Sequence, residues 1–366
     1  MSSHRDIITT DAGGIDVAAK FRDHLDGEAQ KQRKRGVPYN TERAYRSDWE
    51  QFKAWCDRIG YPSLPTTEKA LCSFLTHLSL DTKVRKRKKR GHRGEVVEGF
   101  AYQPVSIERK LAAIVKEHKK ARHPSPRTEE VSAQLHAIWV DRDTKPQGAA
   151  PLLGAHLKTI TARMVEVISE GGELRDVTVR DRSALLIGWH CALRRSEVAG
   201  LKLSSVEFLG KGVTVHIGRS KTDQEGKGRT LYVNPSRSNP DACPVAALQD
   251  WLKVRGEKPG ALFWHADWET LSPDTPMPAW QMTTVIDRWV RLANIKPESK
   301  DTDFSPHSLR AGFITHAMRK GLRSEDVMDH SGHASYRAFQ RYVKVAKGFD
   351  VTVQKDILED DDAETK

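Results

Sequence analysis

At 366 residues, with 30% charged and 38% hydrophobic side chains, the chain exceeds the usual domain size of about 150 residues and points to two domains. No apolar run approaches the roughly 18 residues of a membrane span, and Met1 to Gly14 is polar with no signal-peptide core, so a soluble, cytoplasmic protein is expected. A formal charge of +11 and a pI near 9.4 favour a polyanionic partner, because neutralising phosphates releases counterions, although basicity alone does not separate DNA from RNA or a membrane surface.

From Ile15 to about Trp139 the chain reads as helices divided by polar turns, with no convincing alternating strand. Lys31, Arg33, Lys34 and Arg35 form a first basic cluster. Tyr45, Trp49, Phe52 and Trp55 then recur at helical spacing after Asn40-Thr41, and Leu71, Phe74, Leu75 and Leu78 repeat the pattern after Thr66-Thr67. Ile107, Leu111, Ile114 and Val115 follow Ser106 as a possible cap, and Val131, Leu135, Ile138 and Trp139 make a fourth face. Four or five short helices are expected, with the aromatic stripe in their core rather than serving as a base-stacking platform. Between them Lys83, Arg85, Lys86, Arg87, Lys88, Lys89, Arg90 and Arg93 make a dense positive block. It reads either as a solvated loop, since like charges resist packing, or, as favoured here, as an arm that tracks a DNA backbone without reading bases.

Two prolines and a glycine in Asp143 to Pro151 have linker composition. The expected layout is a flexible terminus (1–14), a helical unit (15–143), a linker (144–151), a second domain (152–350) and a C-terminal segment with the acidic run Glu359 to Asp362 (351–366). The second domain opens on helical patterns at Leu157 to Ile168 and Asp181 to Cys191. A hairpin of Val213 to Ile217 and Arg229 to Val233 follows, with helices resuming to the end. The fold class is therefore mainly α, with a mixed α+β second domain carrying a small antiparallel sheet.

Several residues in this domain suit phosphate chemistry. Arg194 and Arg195 precede a helix start at which Ser196 is available as a cap and Glu197 follows; such forks bind phosphate oxygens, yet an isolated pair is more often a solvated surface charge. Lys221 sits on the hairpin loop, where a lysine is ordinarily just exposed. Ser305-Pro306 marks a helix start that brings His307 and Arg310 to neighbouring faces of its first turn. His333 and, nine residues on, Tyr342 complete the set. A tyrosine, whose usual pKa is about 10, becomes a nucleophile only where cations stabilise the developing charge. Cys56, Cys72, Cys191 and Cys243 are too scattered for a zinc ribbon, and His330 with His333 lacks further ligands. Reduced thiols and no metal or other cofactor are expected.

The ordered series Arg194-x-x-Glu197, Lys221, His307-x-x-Arg310, Gly332-His333 and Tyr342, spanning about Pro151 to Val345, resembles the tyrosine site-specific recombinases, or phage-type integrases. The hairpin text Ile217 to Thr222 is similar to the Cre branch, and the helical first domain fits, by composition, a SAM-like core-binding module. The resemblance implies that Arg194 and Arg310 clamp the scissile phosphate and that Glu197 orients the arginine end. It further implies Lys221 as general acid, His307 as an acid/base or phosphate-contacting group, His333 as a hydrogen-bond donor to the phosphate and Tyr342 as the nucleophile of a 3′-phosphotyrosine. Ser331 before Gly332 departs from the more familiar leucine. The implied partner is double-stranded DNA with an inverted-repeat site, bound by a homodimer per site and a homotetramer in the Holliday-junction synapse, in a bacterial or phage nucleoid setting. Alternatives are a telomere resolvase or type IB topoisomerase-like enzyme and a non-catalytic DNA-binding regulator on the same scaffold.

Overall fold

The computed structural model describes residues 21–25, 27, 39–86, 96–142, 148–218, 228–298 and 302–347. The chain divides into two compact units, Met1–Pro146 and Gln147–Lys366. Lys221, residues 87–93 of the basic block, the Lys31 to Arg35 cluster, residues 1–14, 144–147 and the whole 351–366 segment lie outside the described residues. Among the described residues no helix is long and apolar enough to cross a membrane.

In the first unit, α1 (Tyr39–Ile59) and α2 (Glu68–Leu80) precede an antiparallel pair, β1 (Thr82–Lys86) and β2 (Val96–Phe100), and then α3 (Pro104–Lys120) and α4 (Glu129–Arg142). The four apolar faces read from spacing meet in one core that contains Phe52, Trp55, Phe74, Leu111 and Leu135. Phe74 packs 5.0 Å from Phe52 and 5.2 Å from Trp55, ring centre to ring centre, so the stripe is core. Thr67 caps α2 by accepting from the Ala70 N–H, whereas α3 starts at Pro104, two residues before Ser106. The expectation of no strand in this unit is corrected by β1–β2. Lys83, Arg85 and Lys86 stand on a strand paired with Gly99, Val97 and Val96, not on a free loop. Backbone pairing decides here, and a run of like charges carries no alternation by which to see it.

The second unit begins with α5 (Gly154–Glu170), α6 (Leu174–His190) and the short α7 (Arg195–Gly200). A three-stranded antiparallel sheet follows, β3 (Val206–Leu209), β4 (Gly212–Ile217) and β5 (Arg229–Val233), in the order β3-β4-β5. Then come α8 (Pro244–Arg255), the hairpin β6 (Trp264–Ala266) with β7 (Leu271–Pro276), and α9 (Gln281–Leu292). Three helices close the described chain: α10 (Ser308–Arg319), α11 (Ser324–Ser331) and α12 (Tyr336–Lys347). The predicted hairpin is β4–β5, but β3 widens it to a sheet, and β6–β7 interrupts what was expected to be continuous helix. Two prolines inside β7, Pro273 and Pro276, argue against a strand on sequence grounds.

The axis of this unit is α6, buried at every position from Val177 to Trp189, so its sequence shows no polar face. Its charges are paired inside: Asp181, at 0% exposure, takes hydrogen bonds from Arg180 and from Trp289 Nε1 at 2.9 Å. Arg180 Nη1 also reaches Trp264 O at 2.9 Å. This tethers α6 to β6 and α9. At the other end the entering chain is strapped down, with Leu152 N donating to Ser308 O at 3.0 Å and Trp189 Nε1 to Leu152 O at 2.8 Å.

Gly312 on α10 permits that strap, because a Cβ there would run into the Leu152 carbonyl. The carbonyl, held by Trp189, has nowhere to retreat. Gly312→Ala is expected to destabilise the second unit by about 1–3 kcal/mol, the range for overpacking, measured as a lowered urea midpoint; an unchanged midpoint would show that the strap yields.

Candidate active site

The C-terminus of α6 sets the first arginine. Its end is a Schellman-type turn in which Ala192 N donates to Trp189 O at 2.9 Å and Leu193 N to Gly188 O at 2.8 Å, with Ala192 left-handed at φ 50°. The chain leaves this turn into Arg194, the N-cap residue of α7. Glu197 then folds back: Oε2 accepts the Arg194 backbone N–H at 2.9 Å and Oε1 accepts from Arg194 Nη1 at 2.8 Å. Glu197, not Ser196, is therefore the capping group, and it locks backbone and side chain of Arg194 together. The adjacent Arg195 is exposed.

The second arginine comes from α10. Its first helical residue is Ser308, three beyond the expected Ser305 cap, because Ser305 to Ser308 form a turn closed by Ser308 N to Ser305 O at 2.8 Å. His307 stands at the N-cap position and Arg310 in the first turn. Arg310 has 0% exposure. Its Nη1 donates to Ala192 O at 2.9 Å and its Nη2 lies 3.2 and 3.3 Å from the two ring nitrogens of His333. The left-handed Ala192 thus presents its carbonyl to the guanidinium. Burial, with Arg194 nearby, lowers the Arg310 pKa to about 10, which leaves it charged at neutral pH.

The end of α11 supplies His333. Gly332 is left-handed at φ 66°, and His333 N donates to Met328 O at 3.0 Å. On α12 Tyr342 is 6% exposed, its ring packed in a small cluster with Ile314, Val327 and Phe339. The hydroxyl escapes that apolar packing toward His307, whose Nε2 lies 2.7 Å away. Burial raises the Tyr342 pKa against the opposing pull of Arg341, Arg310 and Arg194. His307 is exposed over part of its surface, yet local burial and then repulsion by Arg310, Arg341 and Arg194 push its pKa down to about 4. A neutral imidazole therefore faces a protonated phenol. Tyr336, by contrast, is 54% exposed.

One member of the site escaped the sequence reading. Arg229 begins β5 opposite Ile217, its Nη2 is 3.6 Å from Glu197 Oε2, and its guanidinium covers the face of Gly332 where a Cβ would collide with it. Its Nε and Nη2 are buried without a hydrogen-bond partner. In sequence it is one arginine in an alternating strand; only the pairing that brings β5 beside α11 exposes it. Six residues, Arg194, Glu197, His307, Arg310, His333 and Tyr342, thus converge with Arg229, while Lys221 belongs to the loop outside the described residues, which leaves β4 at Ile217 and re-enters at β5. The described cysteines are free thiols. Among the described residues no three His, Cys, Asp or Glu side chains gather as a metal site, and His330 Nε2 lies 2.8 Å from the His190 carbonyl rather than beside His333.

The histidines make the unit sensitive to acid. Burial, followed by repulsion from Arg310 and Arg194, depresses His333 to about 3, and His307 lies at about 4, whereas both titrate near 6.5 in an unfolded chain. Below about pH 6.5 the unfolded chain binds protons that the folded site excludes, so stability is full above that pH and is lost as pH falls toward the folded values. Melting temperature is expected to drop on acidification from about pH 7 to 4, and less steeply in His333→Gln; a flat profile in the wild type would contradict the depressed values.

The sequence model of the Phage integrase family matches residues 158–348. The integrase/recombinase XerD homolog of Selenomonas ruminantium is 24% identical over 326 residues, covering 88% of this chain and 86% of that protein. The tyrosine recombinase XerD of Pseudomonas aeruginosa is 26% identical over 316 residues, 86% of this chain and 89% of that protein. Among solved structures, the fold is shared with the Tn1549 transposon integrase in complex with transposon right end DNA (TM-score 0.54, 19% identity, 86% of this chain and 92% of that one). It is shared also with a lambda integrase dimer bound to a COC′ core site (TM-score 0.54, 15% identity, 88% and 76%). The chain belongs to the phage integrase family and is a tyrosine recombinase.

Proposed function

We propose that this recombinase cuts, exchanges and religates DNA strands at a specific inverted-repeat site through a covalent 3′-phosphotyrosine and a Holliday junction. The 2.7 Å approach of Tyr342 Oη to His307 Nε2, beside a buried Arg310, carries this reading. Tyr342 Oη attacks the scissile phosphorus while its proton passes to His307 Nε2. Arg194, held by Glu197, and Arg310 face the non-bridging oxygens and stabilise the charge that gathers there. The bond from phosphorus to the 5′ oxygen breaks, and Lys221 protonates the departing oxygen. Because the phosphotyrosine conserves the bond energy, reversal of these steps rejoins the strand without ATP, and guanidinium groups meet the phosphate charge in the role a metal ion otherwise fills.

The helical first unit and its basic block, Lys83 to Arg93, supply sequence-independent affinity for the duplex, and the second unit carries the chemistry. A dimer occupies one site and a tetramer forms the synapse. A regulator that only binds DNA needs phosphate contacts but no positioned phenol with an imidazole at hydrogen-bond distance, and the pairing of these two groups favours the enzyme.

With inverted repeats drawn from DNA flanking the reading frame as nicked substrates, wild type is expected to form a covalent protein–DNA adduct mapping to the Tyr342 peptide. Tyr342→Phe is expected to bind the same DNA and form none; an adduct at another residue would overturn the reading. Lys221→Ala is expected to cleave at least about 100-fold more slowly, the usual weight of a general acid, and to recover on a 5′-bridging phosphorothiolate, whose leaving group needs no proton. Absence of recovery would remove Lys221 from that role.

A further inference from the structure

Ser331 lies at the last turn of α11 with 0% exposure, two residues before His333. Its Oγ is 2.6 Å from Val327 O, 3.3 Å from Met328 O and 2.7 Å from His333 Nδ1. Both carbonyls can only accept, and the hydroxyl has a single proton. With that proton on Val327 O, Oγ turns a lone pair to the ring, and the contact with Nδ1 is a hydrogen bond only if Nδ1 carries the proton. Arg310 Nη2 lies 3.2 Å from Nδ1 and 3.3 Å from Nε2 and so can donate to either nitrogen; with the Nδ1 proton directed at Ser331, the lone pair of the neutral ring is on Nε2, which accepts from Arg310. This assignment puts a proton in each of the three contacts. The opposite tautomer gives up the bond to Val327 O or sets two lone pairs against each other.

We propose that Ser331 is a positioning residue for strand cleavage: it holds His333 in the Nδ1–H tautomer, so the ring donates to the scissile phosphate only after Nε2 takes up a proton from solvent. The inference rests on the phosphotyrosine reading of the site. The second proton is opposed by burial and by the cations around the ring, Arg310 in the first turn of α10, Arg194 before α7 and Arg341 on α12, and in acid also by His307 once it is protonated. Phe339 and Tyr342 of α12 flank the ring at 5.5 and 5.6 Å, and Arg229 of β5 covers the adjoining Gly332. A phosphodiester among these cations supplies the negative charge that favours an imidazolium. Nδ1–H then remains on Ser331 while Nε2–H reaches a phosphate oxygen. An apolar side chain in place of Ser331 has no such hold on the ring. A helix serine bonded to the carbonyl one turn back is common and by itself only structural; what separates the two roles is the ring's proton.

The test reads that proton directly. In DNA-free protein labelled with ¹⁵N at its 15 histidines, ring nitrogen shifts report each tautomer, and the signals lost in His333→Gln identify the ring. Wild type and Ser331→Thr are expected to show Nδ1–H, and Ser331→Ala to move to Nε2–H. A wild-type ring protonated on Nε2, or an unchanged Nδ1–H ring in Ser331→Ala, would overturn the proposal. In single-turnover cleavage, the wild-type rate is expected to fall about tenfold per pH unit above the titration of the bound ring, as a one-proton requirement dictates. Ser331→Thr should keep that fall and Ser331→Ala lose it; identical profiles in all three would refute proton gating. Because the tautomer is measured without DNA, a wild type that never cleaves would count against the phosphotyrosine reading instead.

Discussion

The guanidinium of Arg310 is the constraint from which the second unit takes its form. A charge at 0% exposure is costly unless its hydrogens are met, and the structure meets those of its two terminal nitrogens from two directions, the Ala192 carbonyl at the end of α6 and the His333 ring at the end of α11. Three helix ends are thereby fixed around one group. Ala192 adopts φ 50°, an unfavourable conformation for a residue with a Cβ, and in doing so aims its carbonyl at the guanidinium while launching the chain toward Arg194. Replacement of Arg310 by lysine would keep the charge but could not span both partners, since an ammonium lacks the planar fork.

The charge balance around this group is incomplete among the described residues. Arg194, Arg229 and Arg310 gather around Glu197, whose two oxygens accept from Arg194, while Asp329 adds a weaker attraction for Arg229. Arg310 Nε and two nitrogens of Arg229 remain buried without hydrogen-bond partners. Each such group costs roughly 1–3 kcal/mol in a folded protein, and an entering phosphate oxygen can recover part of that cost. The site stores a preference for an anion at the expense of stability, which is the pattern of a preorganised electrostatic centre.

Sequence and structure agree where periodicity has a single cause. The faces of Tyr45 to Trp55, Leu71 to Leu78, Ile107 to Val115 and Val131 to Trp139 are amphipathic because one side of each helix is wet, and all four pack as expected except at Tyr45, whose ring lies under Lys116. Agreement fails where that cause is missing. α6 is buried all round, so only its second half, from Asp181, looked helical; its charged Arg180, Asp181 and Arg182 are interior, against every compositional expectation. β1 is a lysine and arginine run and β7 holds two prolines, so neither announces a strand. Within the site, His307, Arg310 and His333 stand at helix starts and ends that leave readable signals in the sequence, and Tyr342, inside its helix, is singled out by its nine-residue distance from His333 and by the family resemblance. Arg229 depends on tertiary neighbours that no local pattern encodes, whereas the back-fold of Glu197 onto Arg194 is a three-residue contact at a helix start.

The pairing of His307 with Tyr342 also explains why such a site can be harmless at rest. With the phenol raised above its usual pKa by burial and the imidazole depressed to about 4, the shared proton belongs to the tyrosine by a wide margin, and the free phenoxide is scarcely populated. In the proposed reaction the margin closes only as bonding to phosphorus proceeds. A phosphate anion relieves the repulsion that Arg310 and Arg194 exert on His307 and so makes it a better base, while bond formation makes the attacking oxygen a stronger acid. Proton transfer is thus tied to attack rather than preceding it. In the proposed reaction the cations that weaken His307 as a base are the ones a DNA phosphate neutralises, so the nucleophile is armed by the substrate it cuts.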